Sequence, residues 1–180
     1  MDKVYNVLVL CTGNSARSVM AEGLINVMGK GRFKAYSAGS KPSGKVNPLA
    51  IEQLQSIGYA TETLRSKSWD EFATADAPQM DFVITVCDNA AGETCPIWPG
   101  VPMTAHWGFA DPGVSGTEEE RRADFAKIFR QIMNRVHLFV NLPLDVLDAN
   151  AIRHEVKQIG QVVGEATPQV QNKYIQVEGK

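Results

Sequence analysis

The segment Val7-Leu8-Val9-Leu10-Cys11-Thr12-Gly13-Asn14-Ser15-Ala16-Arg17-Ser18 constrains this chain more than any other. Val7 to Leu10 is a short apolar run of the kind that forms a buried strand. It stops at Cys11, and a loop of small residues follows. From Ser18 onward, Val19, Met20, Leu24, Ile25, Val27 and Met28 fall near the i, i+3, i+4 spacing of a helix. Ser18, or a residue just before it, is the expected helix cap. Strand, tight loop and helix, with a cysteine at the strand's end and an arginine beyond the loop, make a cup suited to a tetrahedral oxyanion. The N–H groups from Thr12 through Gly13, Asn14, Ser15, Ala16 and Arg17 to Ser18 can curl into a concave nest, and a helix N-terminus adds unpaired donors. Arg17 can clamp two oxygens at once. The same field favours a thiolate at Cys11, since thiols in such positions fall to roughly pKa 3.5–7.5. The plain alternative is a buried strand-end thiol beside a solvated arginine. The strand before, the helix after and the small residues between favour the catalytic reading. No Gly-Lys-Ser/Thr closes the loop, so it is not a nucleotide-binding P-loop.

The bulk properties narrow the setting. A chain of 180 residues buries one good core, with some length to spare at one end. A net charge of −2 gives no electrostatic footprint for nucleic acid or an anionic membrane. No apolar run approaches transmembrane length, and the N-terminus lacks a signal-peptide core. Three cysteines are an odd number and too few for a secreted disulfide framework. The expectation is a cytoplasmic protein whose thiols are reduced at rest.

Further along, Phe33 to Ala38 alternates and ends at Gly39, as a second strand does. Asn47-Pro48 marks a helix start, with Asn47 as cap and Pro48 in the first position, and Gly58 ends that helix. Trp69 to Ala73 reads as a short helix. Asp81 to Cys87 is the third strand, again ending in cysteine, and Val101 to Trp107 is a short fourth. A long helix is expected from about Thr117 to Phe139, with Glu118, Glu119 and Glu120 in its first turn, as the helix dipole prefers. Pro143 breaks it, and Leu144 to Ile159 reads as one more amphipathic helix before a polar tail, Gly164 to Lys180. Alternating strands and helices predict a single α/β domain, an open parallel sheet of about four strands with helices on both faces. The divisions are 1–142 for that domain and 143–180 for a helical extension and tail. In such sheets ligands bind beyond the carboxyl ends of the strands. Cys11 and Cys87 both end strands, which brings them to one rim.

Cys87 and Cys95 flank a loop of small and polar residues, the kind of segment expected to rearrange, since local unfolding costs least where few apolar contacts hold the chain. A nucleophilic thiol with two more in reach points to electron transfer by disulfide exchange. The plain reading of each is a packed structural cysteine. A zinc site from the three thiols and His106 lacks the paired Cys-x2-Cys spacing. Asp111-Pro112 hangs a carboxyl group near the cup, where it can give a proton to a leaving oxygen. An Asp-Pro turn without catalytic meaning accounts for it equally well.

Four stretches together form a recognisable pattern: Cys11 to Ser18, Tyr36-Ser37-Ala38-Gly39, Val86-Cys87-Asp88 followed by Cys95-Pro96, and His106-Trp107-Gly108-Phe109-Ala110-Asp111-Pro112. They resemble the arsenate reductases built on the low-molecular-weight tyrosine-phosphatase fold, in order, from about Val4 to Val140. The resemblance implies that Cys11 attacks arsenate in the cup, that Arg17 and the loop amides steady the oxyanion, and that Asp111 protonates the departing oxygen. It further implies that Cys87 attacks Cys11 and releases arsenite. Cys95 then takes over the disulfide as an exposed Cys87–Cys95 pair, for an external thiol donor to reduce. No bound cofactor is implied. The donor is thioredoxin, or glutathione with glutaredoxin. Phosphatases share the cup and the Asp-Pro loop, so the runner-up is phosphomonoester hydrolysis through a phosphocysteine, and weak phosphatase activity is expected of a reductase with this cup.

Three departures stand out. Position 16 is alanine, where several relatives carry a further cysteine. The Cys87–Cys95 spacing is one residue longer than in thioredoxin-coupled members, which makes glutaredoxin a serious rival as donor. Some members hold a potassium ion behind the cup on side chains matching Asn14, Glu22 and Ser37, plus an aspartate, and Ser66-Lys67 stands where that aspartate belongs. The expectation is no metal, with the ammonium of Lys67 in the cation's place near Glu22. A Lys67 that points to solvent is the alternative.

Overall fold

The computed structural model describes residues 3–92 and 96–161. Among them, strands β1 (Tyr5–Cys11), β2 (Phe33–Gly39), β3 (Phe82–Thr85) and β4 (Met103–His106) form one parallel sheet in the order β2-β1-β3-β4. Helices α1 (Arg17–Met28), α2 (Pro48–Ser56), α3 (Asp88–Gly92), α4 (Glu118–Val140) and α5 (Ala149–Ile159) connect and follow the strands, with a 3-10 turn at Trp69–Phe72. No helix among the described residues is long and apolar enough to cross a membrane.

β1 has a neighbour on each side, so Val7 to Leu10 are at most 1% exposed and carry no polar alternation. Its side chains divide between two cores. Val7 and Val9 join Phe82 and Ile84 against Leu24 of α1, Ile132 and Phe139 of α4 and Val156 of α5. Leu8 and Leu10 join Val83 against Trp69, Phe72 and Trp98. The long helices thus cover one face, and the 3-10 turn with the Trp98 segment covers the other.

The helix ends follow local chemistry. Asn47 accepts from the Leu49 N–H at 2.9 Å, with Pro48 in the first position of α2. Thr117 caps α4 by accepting from the Glu120 N–H at 3.1 Å. Two starts differ from the sequence reading. α1 has Ala16 in the capping position and no side-chain cap, while Ser18 is buried within the first turn and accepts from Asn14 Nδ2 at 2.8 Å. A capping side chain would occupy the N–H groups that an anion needs. The last helix begins at Ala149, not Leu144, because Asp148 Oδ1 accepts from the Ala151 N–H at 2.8 Å and ends the preceding turn. In that turn the N–H groups of Val146 and Leu147 bond to the Pro143 carbonyl. Ile152, Val156 and Ile159 then share one buried face of α5. Trp107 Nε1 donates to the Val156 carbonyl at 3.0 Å, which ties α5 to the loop that follows β4.

Candidate active site

Leu10 pairs with Thr85 across β1 and β3, so Cys11 and Cys87 emerge side by side at the carboxyl edge of the sheet. Val86 keeps the two chains together for one more step, its N–H bonding to the Leu10 carbonyl at 2.9 Å. Both thiols are free and buried, at 6% and 3% exposure, and each is close enough to shift the other's ionisation.

The loop from Thr12 to Ala16 is held from outside by its carbonyls. Thr12 O accepts from Lys41 N at 3.0 Å and Gly13 O from Ser43 N and Ser66 Oγ, both at 2.9 Å. Ser15 O accepts from Asn47 N at 2.9 Å. In a planar trans peptide the next N–H faces the opposite way, so those of Gly13, Asn14 and Ala16 turn into the loop. Asn14 sits at φ +48° and is fully buried. Asparagine tolerates this left-handed conformation, and its side chain is fully employed. Nδ2 donates to Ser18 Oγ at 2.8 Å and Ser37 Oγ at 3.0 Å, and Oδ1 accepts from Lys67 N at 3.0 Å. Gly39 at the end of β2 lies against the Thr12 carbonyl, where a Cβ would collide.

Behind this loop, Ser37 Oγ donates to Glu22 Oε1 at 2.7 Å, and Lys67 Nζ lies 3.9 Å from the same oxygen. The Glu22 and Lys67 side chains are about one-tenth exposed. Burial pushes the Glu22 carboxyl above its ordinary range, opposed by the Lys67 charge, and burial pushes Lys67 below its own. Lys67 also donates to the Arg65 carbonyl at 3.2 Å, so its ammonium faces the interior and not solvent. Among the described residues no cluster of three or more His, Cys, Asp or Glu side chains is placed to hold a metal ion.

Arg17 enters from the first turn of α1. Its Nη1 donates to the Phe109 carbonyl at 2.9 Å and its Nη2 lies 3.6 Å from Asp111 Oδ1, with the Asp111 side chain 61% exposed. The loop bearing Asp111 is gripped from beneath by a residue absent from the sequence reading. Arg135 of α4 is 7% exposed, donates to the Gly108 carbonyl at 2.9 Å and stacks over the Phe109 ring at 4.2 Å. The available signal was an arginine on the apolar stripe of α4, between Ile132 and Phe139.

The sequence reading places the stabilised thiolate at Cys11, and in the fold the surroundings of the two thiols pull in opposite directions, lowering Cys87 and raising Cys11. Cys87 is pulled down to about 5, first by the hydrogen bond from the Cys11 thiol and then by the Ala90 N–H at 3.4 Å, with Thr12 Oγ1 at 3.6 Å helping. Cys11 is pushed up, first by that same bond and then by burial, with Arg17 opposing. With two thiols this close, ionising one makes the other hold its proton more tightly. Cys95 and the polar tail lie outside the described residues.

The chain matches the profile of the low molecular weight phosphotyrosine protein phosphatases over residues 6–156. It is 38% identical to the arsenate reductase of Bacillus subtilis over 134 residues, 74% of this chain and 93% of that protein. It is 38% identical to the arsenate reductase of Staphylococcus aureus over 130 residues, 71% of this chain and 94% of that protein. The fold superposes on the arsenate reductase of Archaeoglobus fulgidus with a TM-score of 0.58 at 28% identity, covering 74% of this chain and 98% of that one. An arsenate reductase in an oxidized state gives 0.61 at 26% identity, covering 78% and 97%. The chain therefore belongs to the low-molecular-weight phosphotyrosine protein phosphatase family and groups there with its arsenate reductases.

Proposed function

We propose that this protein reduces arsenate to arsenite through a thiol relay from Cys11 to Cys87 to Cys95. The observation that carries the reading is the pair of buried thiols that β1 and β3 bring to one edge of the sheet, with the Cys87 sulfur 3.6 Å from Thr12 Oγ1 of the loop, because phosphoester hydrolysis has no use for a second thiol. Arsenate binds to the inward N–H groups of the loop and to Arg17. Shifting the shared proton from Cys11 to Cys87 makes Cys11 the nucleophile without placing a second negative charge on the sulfurs. Cys11 Sγ forms a bond to arsenic(V), and one oxygen leaves as water with a proton supplied by Asp111. Cys87 gives up the proton it took, to solvent or to the Asp111 carboxylate left by the first step, and as a thiolate attacks Cys11 Sγ. The S–As bond breaks with its electron pair staying on arsenic, so arsenic(V) becomes arsenic(III) as two thiols become a disulfide. Cys95 displaces Cys11 from Cys87, and a dithiol donor, thioredoxin or glutaredoxin with glutathione, reduces the Cys87–Cys95 pair.

Lys67 fits the same scheme as a built-in cation. It meets the carboxylate of Glu22, which reaches the loop through Ser37 and Asn14. Asp111 beside the cup also supports slow phosphomonoester hydrolysis as a side activity. The decisive experiment is arsenate-dependent oxidation of a thiol donor over many turnovers, with thioredoxin and glutaredoxin systems compared. Cys87→Ser is expected to abolish turnover, and full turnover by that variant would overturn the relay.

A further inference from the structure

We infer that His106 is a positioning residue that braces the Cys87 thiol against Cys11, an inference that rests on the relay proposed above. His106 ends β4, and both ring nitrogens are engaged. Nδ1 lies 2.7 Å from Thr85 Oγ1 and Nε2 lies 2.8 Å from Asp88 Oδ1. A carboxylate only accepts, so Nε2–H donates to Asp88, and the Thr85 hydroxyl, which can donate or accept, pairs with Nδ1. Thr85 and Asp88 are the residues on either side of Val86-Cys87. One imidazole therefore spans the end of β3 and the start of α3, and closes a bracket around the turn that carries the thiol.

Three features single this bracket out as directional. The Asp88 side chain is 93% exposed and that of His106 38%, and ion pairs so exposed add little to stability. Gly108 leaves the space the pair occupies, since a Cβ there would stand 3.1 Å from His106 Nε2 and 3.2 Å from Asp88 Oδ1. Among the described residues Val86 is the last of β3's continuation to make backbone bonds to neighbouring strands and loops, its N–H reaching Leu10 and its carbonyl accepting from Phe109 N at 3.2 Å. Beyond Val86 the Cys87 sulfur is placed by Thr12 Oγ1, by the Ala90 N–H of α3, a helix of five residues, and by what holds that helix's first residue. That residue is Asp88, and His106 holds it. Attack on the sulfur of a Cys11–arsenic adduct needs the Cys87 thiolate in line with the breaking S–As bond, and such alignment is lost with displacements of about 1 Å.

The test uses the full chain carrying Cys95→Ser, so that the disulfide formed when arsenite departs accumulates between Cys11 and Cys87. On that background His106→Ala, Asp88→Ala and His106→Gln are mixed with arsenate, and the disulfide is followed by quenched alkylation and mass mapping. His106→Ala and Asp88→Ala are expected to slow disulfide formation by about 10- to 100-fold with the half-saturating arsenate concentration unchanged. His106→Gln is expected to recover part of the rate, because its amide N–H reaches Asp88 while the tie to Thr85 is lost. A native rate in His106→Ala overturns the inference. So does a slowing matched by weaker arsenate binding, which marks a general structural role. Absence of the disulfide in the His106-intact protein overturns the relay itself, and this role with it.

Discussion

Arg17 and Asp111 are coupled through the backbone of Phe109: one terminal nitrogen of the guanidinium donates to the Phe109 carbonyl at 2.9 Å, and the other lies 3.6 Å from the Asp111 carboxylate. The side chain proposed to grip the oxyanion also fixes where the proposed acid stands. Arg17→Lys keeps the charge and loses the fork, so both contacts cannot be made together. The expected loss in kcat/KM for arsenate is on the order of 10²–10³, typical for removal of an oxyanion donor. Steady-state thiol oxidation checks it, with melting temperature as the control for folding.

The charge on Cys87 should depend on its partner. Alkylation of Cys87, resolved by peptide mapping, is expected to be half-maximal near pH 5 and to persist above it, because a depressed thiol is ionised above its lowered pKa. Cys11→Ala removes the S–H donor, the largest influence holding Cys87 down, and the midpoint should move up toward the ordinary value of 9.0. A midpoint unchanged in Cys11→Ala would show that α3 and Thr12 suffice without the thiol pair.

Lys67→Met leaves a buried carboxylate without its cation. With both side chains about one-tenth exposed, the loss should lie near the lower end for a broken buried pair, about 3 kcal/mol. Burial already raises Glu22, and removing Lys67 raises it further. A group with a raised folded-state pKa gives stability that is present below the unfolded value of 4.5 and lost as pH rises through the folded one. The penalty of Lys67→Met, measured by denaturant unfolding, is therefore expected to be small near pH 5 and larger at pH 8. In the native protein, exchanging sodium for potassium should leave the rate unchanged. A steep rise with potassium alone would remove Lys67 from the cation's role.

Truncation after residue 142 is expected to unfold the protein. Burial of Ile152, Val156 and Ile159 on α5 contributes roughly 1.5–3 kcal/mol each, a sum comparable to a domain's whole stability of about 5–15 kcal/mol. Trp107, which opens the Asp111 loop, would also lose its hydrogen bond to Val156. Circular dichroism melting of the shortened chain checks this, and a cooperative transition at the native temperature would make α5 an appendage.

What was legible in the amino-acid order is what depends on neighbours along the chain. The apolar run into Cys11, the small-residue turn and the helix that follows are contiguous, so their pattern reads directly. Asn47-Pro48 announces α2, and the acidic first turn announces α4, because caps and dipoles act over a few residues. The start of α5 is not legible, because Leu144, Val146 and Leu147 continue an apolar pattern that the Asp148 cap interrupts. Of the cap expected at Ser18 or just before it, the structure has Ala16 in the capping position with no side-chain bond, and Ser18 is a buried acceptor for Asn14.

The order of residues along the chain by itself determined the parallel α/β sheet and, through four short motifs, the family resemblance. The surroundings of the Cys87 sulfur were decided by atoms as far apart as Thr12 and Cys87, brought together when β1 and β3 pair. The same holds for Arg135 beneath the Asp111 loop and His106 around Cys87. Proton sharing, desolvation and bracing act over a few ångströms of space, and only the folded chain sets those distances.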